Sequence, residues 1–240
     1  MLALHDFGGS GRELLLLHGT GGASGDWAGV AEHLVHDFHV VAVDLPGHGG
    51  SPAPAQWSFA EALAELAEIG LDRPVVAGMS LGGMLAVHWG VRHQDCPAVV
   101  SFDGHRSPVT ALANYRGLTA DHAAIRRAEL KASFDAMLSM FPAQRTMFEQ
   151  IGAAMAADDV VPALAELRVP TTMVVSTLDL PGTGMHRELM AAFRAGLDAD
   201  LRRAANSNDR LQIAALPTTH AMHLEAPQEM AGIIRAAAGG

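Results

Sequence analysis

The chain has little cysteine, little lysine and no long hydrophobic run. Cys96 is its single cysteine, so no internal disulfide can form, and a buried packing position in a reducing compartment is the simplest interpretation. Lys131 is the single lysine and lies in a helical pattern, whereas a phosphate-binding P-loop needs Gly-Lys-Ser/Thr and a pyridoxal enzyme needs a Schiff-base lysine. The longest aliphatic run, residues 14–17, is far shorter than the roughly 18 residues that span a bilayer.

Positive charge is also scarce. The formal net charge is −10 and the arginines are dispersed, whereas nucleic-acid binding needs clustered basic residues. The histidines form no H-E-x-x-H or H-x-H-x-D-H string, so we expect no metal and no cofactor. Residues 1–6 show no secretory-signal pattern. We therefore expect a cytoplasmic chain that has no nucleic-acid or membrane partner and acts on a small-molecule substrate; homo-oligomer formation stays open.

Hydrophobic patterning predicts the fold class. The chain has 240 residues, of which 49% are hydrophobic, and this is enough for one large core. Stretches with helical periodicity separate most of the short aliphatic or β-branched runs, which indicate buried strands. This alternation predicts an α/β fold, a mostly parallel sheet with helices on both faces. The runs are residues 14–18, 39–44, 74–78, 98–103, 171–177 and 211–216.

The alternation stops between Asp103 and Val169, where helical patterns occupy residues 121–141 and 145–157. We predict a helical lid over residues 104–168, inserted after the strand that ends near Asp103, and an α/β core made of residues 1–103 and 169–240. The apolar residues of the lid either pack within it or form an adaptable substrate wall. The candidate substrate-binding residues in the lid are Met137, Met140, Phe141, Met147 and Phe148.

A nucleophile motif follows the third predicted strand. Residues 78–82 read G-x-S-x-G around Ser80, and a helical pattern follows directly. So tight a turn needs small residues on both sides of the serine, whose hydroxyl is then exposed above the sheet edge. The N-terminus of the helix favours negative charge that develops there. We predict that Ser80 is a catalytic nucleophile and that the neighbouring Met79 contacts the substrate.

A second glycine-rich segment, residues 18–22, follows the strand that ends at Leu17. Its glycines allow backbone N–H groups to approach a ligand closely. We predict an oxyanion hole formed by the backbone N–H groups of Thr20 and Leu81. A dinucleotide-binding loop would need glycine at position 24, where this chain has Ser24.

From about Leu14 onward, these motifs in this order resemble the α/β-hydrolase superfamily. Residues 44–51 are similar to its D-x-x-G-x-G-x-S loop, in which Asp44 and His48 would have structural roles. The resemblance implies an acid after a later strand and a histidine near the end of the chain. In the superfamily this histidine stands five residues before the glutamate of a terminal E-x-P motif. The resemblance of Glu225-Ala226-Pro227 to this motif implies that His220 is the reactive histidine and leaves His223 as a packing residue.

Two aspartates compete for the third position of the triad. Asp179 follows the strand after which most of the superfamily carries its acid, and Asp103 follows the preceding strand, where some relatives carry theirs. We therefore predict a Ser80, Asp179 and His220 triad, and we assign Asp103 to the substrate pocket beneath the lid.

The sequence thus predicts a serine hydrolase of the esterase or lactonase type, acting through an acyl-enzyme on a carboxylic ester or lactone of an uncharged, largely apolar small molecule. The resemblance extends to carbon–carbon bond hydrolases, perhydrolases and cofactor-free oxygenases, and these alternatives stay open. A non-catalytic small-molecule receptor is a further alternative.

Overall fold

The computed structural model describes residues 1–179 and 183–239. Seven strands form one sheet in the described part of the chain, in the order β1-β3-β2-β4-β5-β6-β7, where numbering follows the chain. The antiparallel pair is β1 with β3, and all other neighbours are parallel. The strands are β1 Leu4–Gly8, β2 Arg12–Leu17, β3 Phe38–Val43, β4 Val75–Met79, β5 Val99–Phe102, β6 Thr171–Ser176 and β7 Leu211–Leu216. The predicted α/β fold is confirmed, and the six predicted strands correspond to β2 to β7 with ends that differ by at most two residues.

Helices cover both faces of the sheet. They are α1 Ala28–Ala31, α2 Phe59–Ala67, α3 Leu81–Arg92, α4 Ala120–Leu138, α5 Arg145–Ala157, α6 Arg187–Ser207, α7 Met222–Glu225 and α8 Pro227–Ala237. Ser58 caps α2, since its side chain accepts a hydrogen bond from the backbone N–H of Glu61 at 3.2 Å. None of the helices in the described residues is both long and apolar enough to cross a bilayer.

Burial on both faces explains why the strands are continuously apolar. Leu14 and Leu16 of β2 pack with Trp27 in the core on one side of the sheet. Leu15 and Leu17 pack into the core on the other side. Successive side chains of a strand point to opposite faces, so a strand covered on both faces needs apolar residues at every position.

The segment between β5 and β6 contains α4 and α5, which correspond closely to the two predicted helical patterns. A buried arginine, Arg106, anchors this segment: its guanidinium lies 3.1 Å from Asp159 and 3.0 Å from Asp200 of α6. His88 of α3 contacts Asp158 at the end of α5. The two helices are thus tied to the core near the ends of the segment, while the assignment of residues 104–168 as a lid stays a prediction.

Candidate active site

Ser80 occupies a strained turn between β4 and α3. Its backbone has φ 54° and ψ −115°, in a region that L-residues rarely adopt. A Cβ at Gly78 would lie 2.1 Å from the carbonyl oxygen of Gly82, and a Cβ at Gly82 would lie 2.2 Å from that of Leu17. The turn can therefore form only with glycine at these two positions. These steric limits explain the two glycines of the G-x-S-x-G pattern.

The predicted oxyanion loop runs beside this turn. A Cβ at Gly19 would lie 3.3 Å from the Cβ of Ser80. Thr20 is exposed, and Leu81 is the buried first residue of α3. The structure thus brings the segment that carries Thr20 close to the nucleophile turn, whereas the convergence of the two N–H groups on one oxyanion stays a prediction.

His18 fixes the start of this loop. Its Nδ1 lies 2.7 Å from the carbonyl oxygen of Gly19, and its Nε2 accepts a hydrogen bond from the backbone N–H of Leu45 at 2.9 Å. Burial lowers the pKa of His18 to about 4. His18 is therefore neutral at physiological pH, and it links the end of β2 to the end of β3.

Asp44 organises the loop after β3. Its carboxylate accepts backbone N–H hydrogen bonds from Ser24 at 2.6 Å and from Gly50 at 2.8 Å. Burial alone would raise the pKa of Asp44, but these two hydrogen bonds outweigh it, and the pKa lies below its usual value. These contacts agree with the structural role expected for Asp44.

The histidine partner differs from the sequence prediction. Oδ2 of Asp103 lies 2.9 Å from Nδ1 of His220, whereas Asp179 pairs with Arg194 at 2.6 Å. The prediction that Asp179 serves His220 is therefore wrong. The assignment of Asp103 to the wall of the substrate pocket is also wrong, because its side chain is 6% exposed and its carboxylate faces His220.

Strand order explains this result. β5 lies directly beside β4, and the backbone N–H of Ser80 donates to the carbonyl oxygen of Phe102 at 2.8 Å, so Asp103 is one residue away from this contact. Asp103 turns the chain immediately with a φ of 49°, and Oδ1 accepts a hydrogen bond from the backbone N–H of Ser176 at 2.8 Å. Asp179 follows β6, one strand further from β4, and its side chain is 48% exposed.

Electrostatics favour an ionised Asp103. Burial by itself would raise the pKa of this carboxyl group, but interactions with His105 and His220 outweigh burial and hold the pKa well below its usual value. The carboxylate is thus charged at physiological pH, and it can stabilise a positive charge that forms on His220.

Glu225 braces the loop that carries His220. Its carboxylate accepts hydrogen bonds from the backbone N–H of Thr219, at 2.8 Å, and from the hydroxyl of the same residue. These bonds lower the pKa of Glu225. His223 is half-buried, with Nδ1 lying 3.1 Å from the Sδ of Met79, and burial lowers its pKa. These positions fit the packing role expected for His223.

The predicted substrate-binding residues of the helical segment fall into two groups. Met147 and Phe148 of α5 lie over the loops of the site: a Cβ at Gly47 would meet the Met147 side chain, and one at Gly21 would lie 3.9 Å from Phe148. The other three are more exposed, with exposed fractions of 45% for Met137, 68% for Met140 and 46% for Phe141. The structure thus places the α5 pair next to the site, and it places Phe141 against Phe148, with ring centroids 6.2 Å apart.

Sequence reasoning missed the further neighbours of Asp103. His105 lies two residues after it, with its Nε2 3.7 Å from Oδ1, and Ser176 at the end of β6 donates to the same oxygen. The string Asp103-Gly104-His105 directly after a buried strand was a usable signal. The contact with Ser176 depends on strand order, which the local sequence does not reveal.

Comparisons with known proteins bear on family and fold. The family profile described as "Alpha/beta hydrolase family" matches residues 14–233. Over 88 residues, the chain is 47% identical to the pimeloyl-[acyl-carrier protein] methyl ester esterase of Chromobacterium violaceum, and the match covers 36% of this chain and 34% of that protein. Over 139 residues it is 30% identical to the protein of the same name from Vibrio cholerae, covering 58% of this chain and 54% of that one.

Among solved structures, the enol-lactonase from Burkholderia xenovorans LB400 is 20% identical, with a TM-score of 0.65, and the match covers 100% of this chain and 96% of that one. At this identity, the likeness bears on the fold alone. The chain spans about a third to about half the length of the two curated relatives. The family profile, by contrast, runs from β2 into α8 and includes Ser80, Asp103 and His220. The resemblance seen in the sequence is confirmed: the chain belongs to the alpha/beta hydrolase family.

Proposed function

We propose that the chain is a serine hydrolase that cleaves a carboxylic ester or lactone of an uncharged, largely apolar small molecule. The observation that carries the proposal is the 2.9 Å hydrogen bond between Asp103 and His220, at the sheet edge where the strained turn presents Ser80. The curated relatives are named as methyl ester esterases, and this supports an ester substrate.

In the proposed mechanism, Ser80 attacks the carbonyl carbon, and Nε2 of His220 takes the serine proton and returns it to the leaving group. The Nδ1–H of His220 donates to Asp103, which selects the tautomer whose Nε2 can act as a base. The buried carboxylate stabilises the imidazolium. Water then releases the acyl group by the same route.

We assign stabilisation of the tetrahedral intermediate to the backbone N–H groups of Thr20 and Leu81. Leu81 begins α3, and the first N–H groups of a helix have no partner within the helix. The glycine-rich loop that carries Thr20 lies against Ser80. An oxyanion-hole donor typically contributes about 3 kcal/mol of transition-state stabilisation.

The apolar cover over the site supports an apolar acyl or alkyl group. Phe148 lies near the glycine-rich loop, and its ring is 6.2 Å from that of Phe141 in an edge-on arrangement. Met155 contributes a thioether 3.7 Å from the hydroxyl of Thr20. Methionine and phenylalanine side chains offer adaptable apolar surface, and we therefore propose that α5 forms part of a lid over the acyl chain.

The test is a panel of esters, lactones and thioesters with acyl chains of two to about six carbons, assayed with the wild type and with Ser80→Ala. We expect kcat/KM to rise with chain length, because each buried methylene contributes about 0.8 kcal/mol. Ser80→Ala and His220→Ala should each remove turnover by several orders of magnitude, since such residues act as a unit. His223→Ala is the matched control and should keep most of the activity.

Different outcomes of the panel would overturn different parts of the proposal. A profile that falls steadily from acetate upward would contradict the apolar acyl site. Ester turnover that survives in Ser80→Ala would contradict the nucleophile. Oxygen consumption or peroxide-dependent chemistry with negligible ester turnover would support an oxygenase or a perhydrolase instead.

A further inference from the structure

The carboxylate of Asp103 faces a second histidine besides His220. Oδ2 bonds to His220 at 2.9 Å, and Oδ1 accepts the backbone N–H of Ser176 at 2.8 Å. On the side of Oδ1, Nε2 of His105 lies 3.7 Å away. The side chains of Asp103 and His105 are both nearly inaccessible to solvent, with exposed fractions of 6% and 9%. A polar group buried this deeply beside a carboxylate requires a physical account.

Both backbone polar groups of Arg106 lie beside Nδ1 of His105. The N–H of Arg106 donates to Nδ1 at 2.8 Å, and the carbonyl oxygen of Arg106 lies 3.0 Å from the same nitrogen. A proton on Nε2 is favoured by the carboxylate of Asp103, which faces this nitrogen, and it leaves Nδ1 as the acceptor for the N–H of Arg106. The ring of Phe193 packs against the imidazole at a centroid distance of 5.8 Å.

We propose that His105 is a positioning residue, which directs its Nε2–H at Oδ1 of Asp103 and so keeps the carboxylate ionised and oriented toward His220. At 3.7 Å the interaction is that of an N–H dipole with a charge. A movement of about 0.5 Å would bring the pair within ordinary hydrogen-bond distance. The effect on catalysis rests on the proposed function, whereas the contact with Asp103 does not.

Other charges do not account for the environment of Asp103. In the part of the chain that the structure describes, the titratable groups that face this carboxylate are His105 and His220. The guanidinium of the adjacent Arg106 is held by Asp159 and Asp200. Without the Nε2–H of His105, burial would raise the pKa of Asp103. The less stabilised carboxylate would then interact more strongly with His220.

Two substitutions distinguish the effect of the Nε2–H donor from the effect of the volume that the ring fills. His105→Phe removes the Nε2–H and keeps a planar ring, whereas His105→Gln can place an amide N–H close to the Nε2 position. His105→Asn is a second donor-deficient variant if the Phe variant does not fold, since its shorter amide reaches only the Nδ1 position. His93→Phe is the matched control, because His93 stacks on Trp89 at 4.0 Å, away from Asp103.

The first readout uses the resting protein and needs no substrate. The proton between His220 Nδ1 and Asp103 should give a downfield proton NMR resonance, assigned by its loss in Asp103→Asn. We expect this resonance to move further downfield in His105→Phe, because a less stabilised carboxylate accepts a stronger hydrogen bond. His105→Gln and His93→Phe should leave it near the wild-type position.

The second readout is the pH profile of kcat/KM with a simple ester. We expect the acid-side midpoint to lie about half a pH unit higher in His105→Phe, with kcat reduced and KM little changed. His105→Gln should restore the wild-type profile. An unchanged resonance and an unchanged acid limb in folded His105→Phe or His105→Asn would overturn the proposal, as would a Gln variant that behaves like Phe. If the wild type has no Ser80-dependent turnover, the proposed function fails, and the resonance still decides the role of His105.

Discussion

At the residue scale, the proposed chemistry depends on which aspartate serves His220. Asp103→Asn should lower kcat by about 10⁴-fold, because an amide cannot hold the reactive tautomer of the histidine. Asp179→Asn is the matched control and should change kcat by no more than about threefold, since its exposed ion pair with Arg194 contributes little. Steady-state kinetics with one ester, together with thermal melting of each variant, provide the test.

The reverse ranking of the two variants would move the acid to the segment after β6. Equal and small losses would show that the hydrogen bond between Asp103 and His220 has no role in turnover.

A second residue, His18, should make the free energy of unfolding depend on pH. Its pKa is 6.5 when unfolded and about 4 when folded, so the unfolded chain binds an additional proton between these values. The free energy of unfolding should therefore fall as the pH drops from 6.5 to 4, by about 3 kcal/mol from this one residue. Urea unfolding at several pH values should show a steeper loss for the wild type than for His18→Gln. Parallel curves for the two proteins would contradict this role.

At the element scale, the turn after β5 depends on a close backbone approach to α3. A Cβ at Gly104 would lie 2.3 Å from the Cα of Gly83. Gly104→Ala should therefore push the turn away from α3, lower the free energy of unfolding by about 2 kcal/mol and reduce kcat, because Asp103 belongs to the same turn. Gly152→Ala in α5 is the control: a Cβ there meets nothing within 4 Å, and alanine should stabilise the helix by up to about 1 kcal/mol. Chemical denaturation would measure both effects, and a neutral Gly104→Ala would contradict the close contact.

The helices and strands also show which features could be predicted from the sequence and which could not. Continuous apolar runs predicted β2 to β7, because strands covered on both faces leave a strong local signal. The glycines around Ser80 also gave a local signal, because a side chain at these positions would clash with the backbone. The choice between Asp103 and Asp179 has no such local signal, since each follows a buried strand. It depends on which strand end lies beside β4 and on the path of the loop to His220, and both are properties of the whole sheet.

At the scale of the whole molecule, the helical segment and the core are joined through Arg106. Its side chain is 2% exposed and contacts carboxylates at the end of the segment and on α6. Arg106→Met should lower the free energy of unfolding by about 2 kcal/mol, because Asp159 loses its buried cation, whereas Asp200 keeps an ion pair with Arg116 at 2.9 Å. Arg202→Met, which breaks an exposed ion pair with Asp198, should cost less than about 0.5 kcal/mol.

Denaturant unfolding of the two arginine variants measures this difference, and equal losses would show that burial adds nothing to the Arg106 network.

The acid of the proposed triad is adjacent in the chain to Phe102, whose carbonyl oxygen accepts the backbone N–H of Ser80. Two side chains of the proposed triad thus follow the ends of neighbouring strands, whereas His220 lies on the loop after β7. In the proposed triad, the stretch between Asp179 and α6 supplies no carboxylate. Protein engineers could therefore lengthen or exchange this stretch without replacing any residue of the proposed triad.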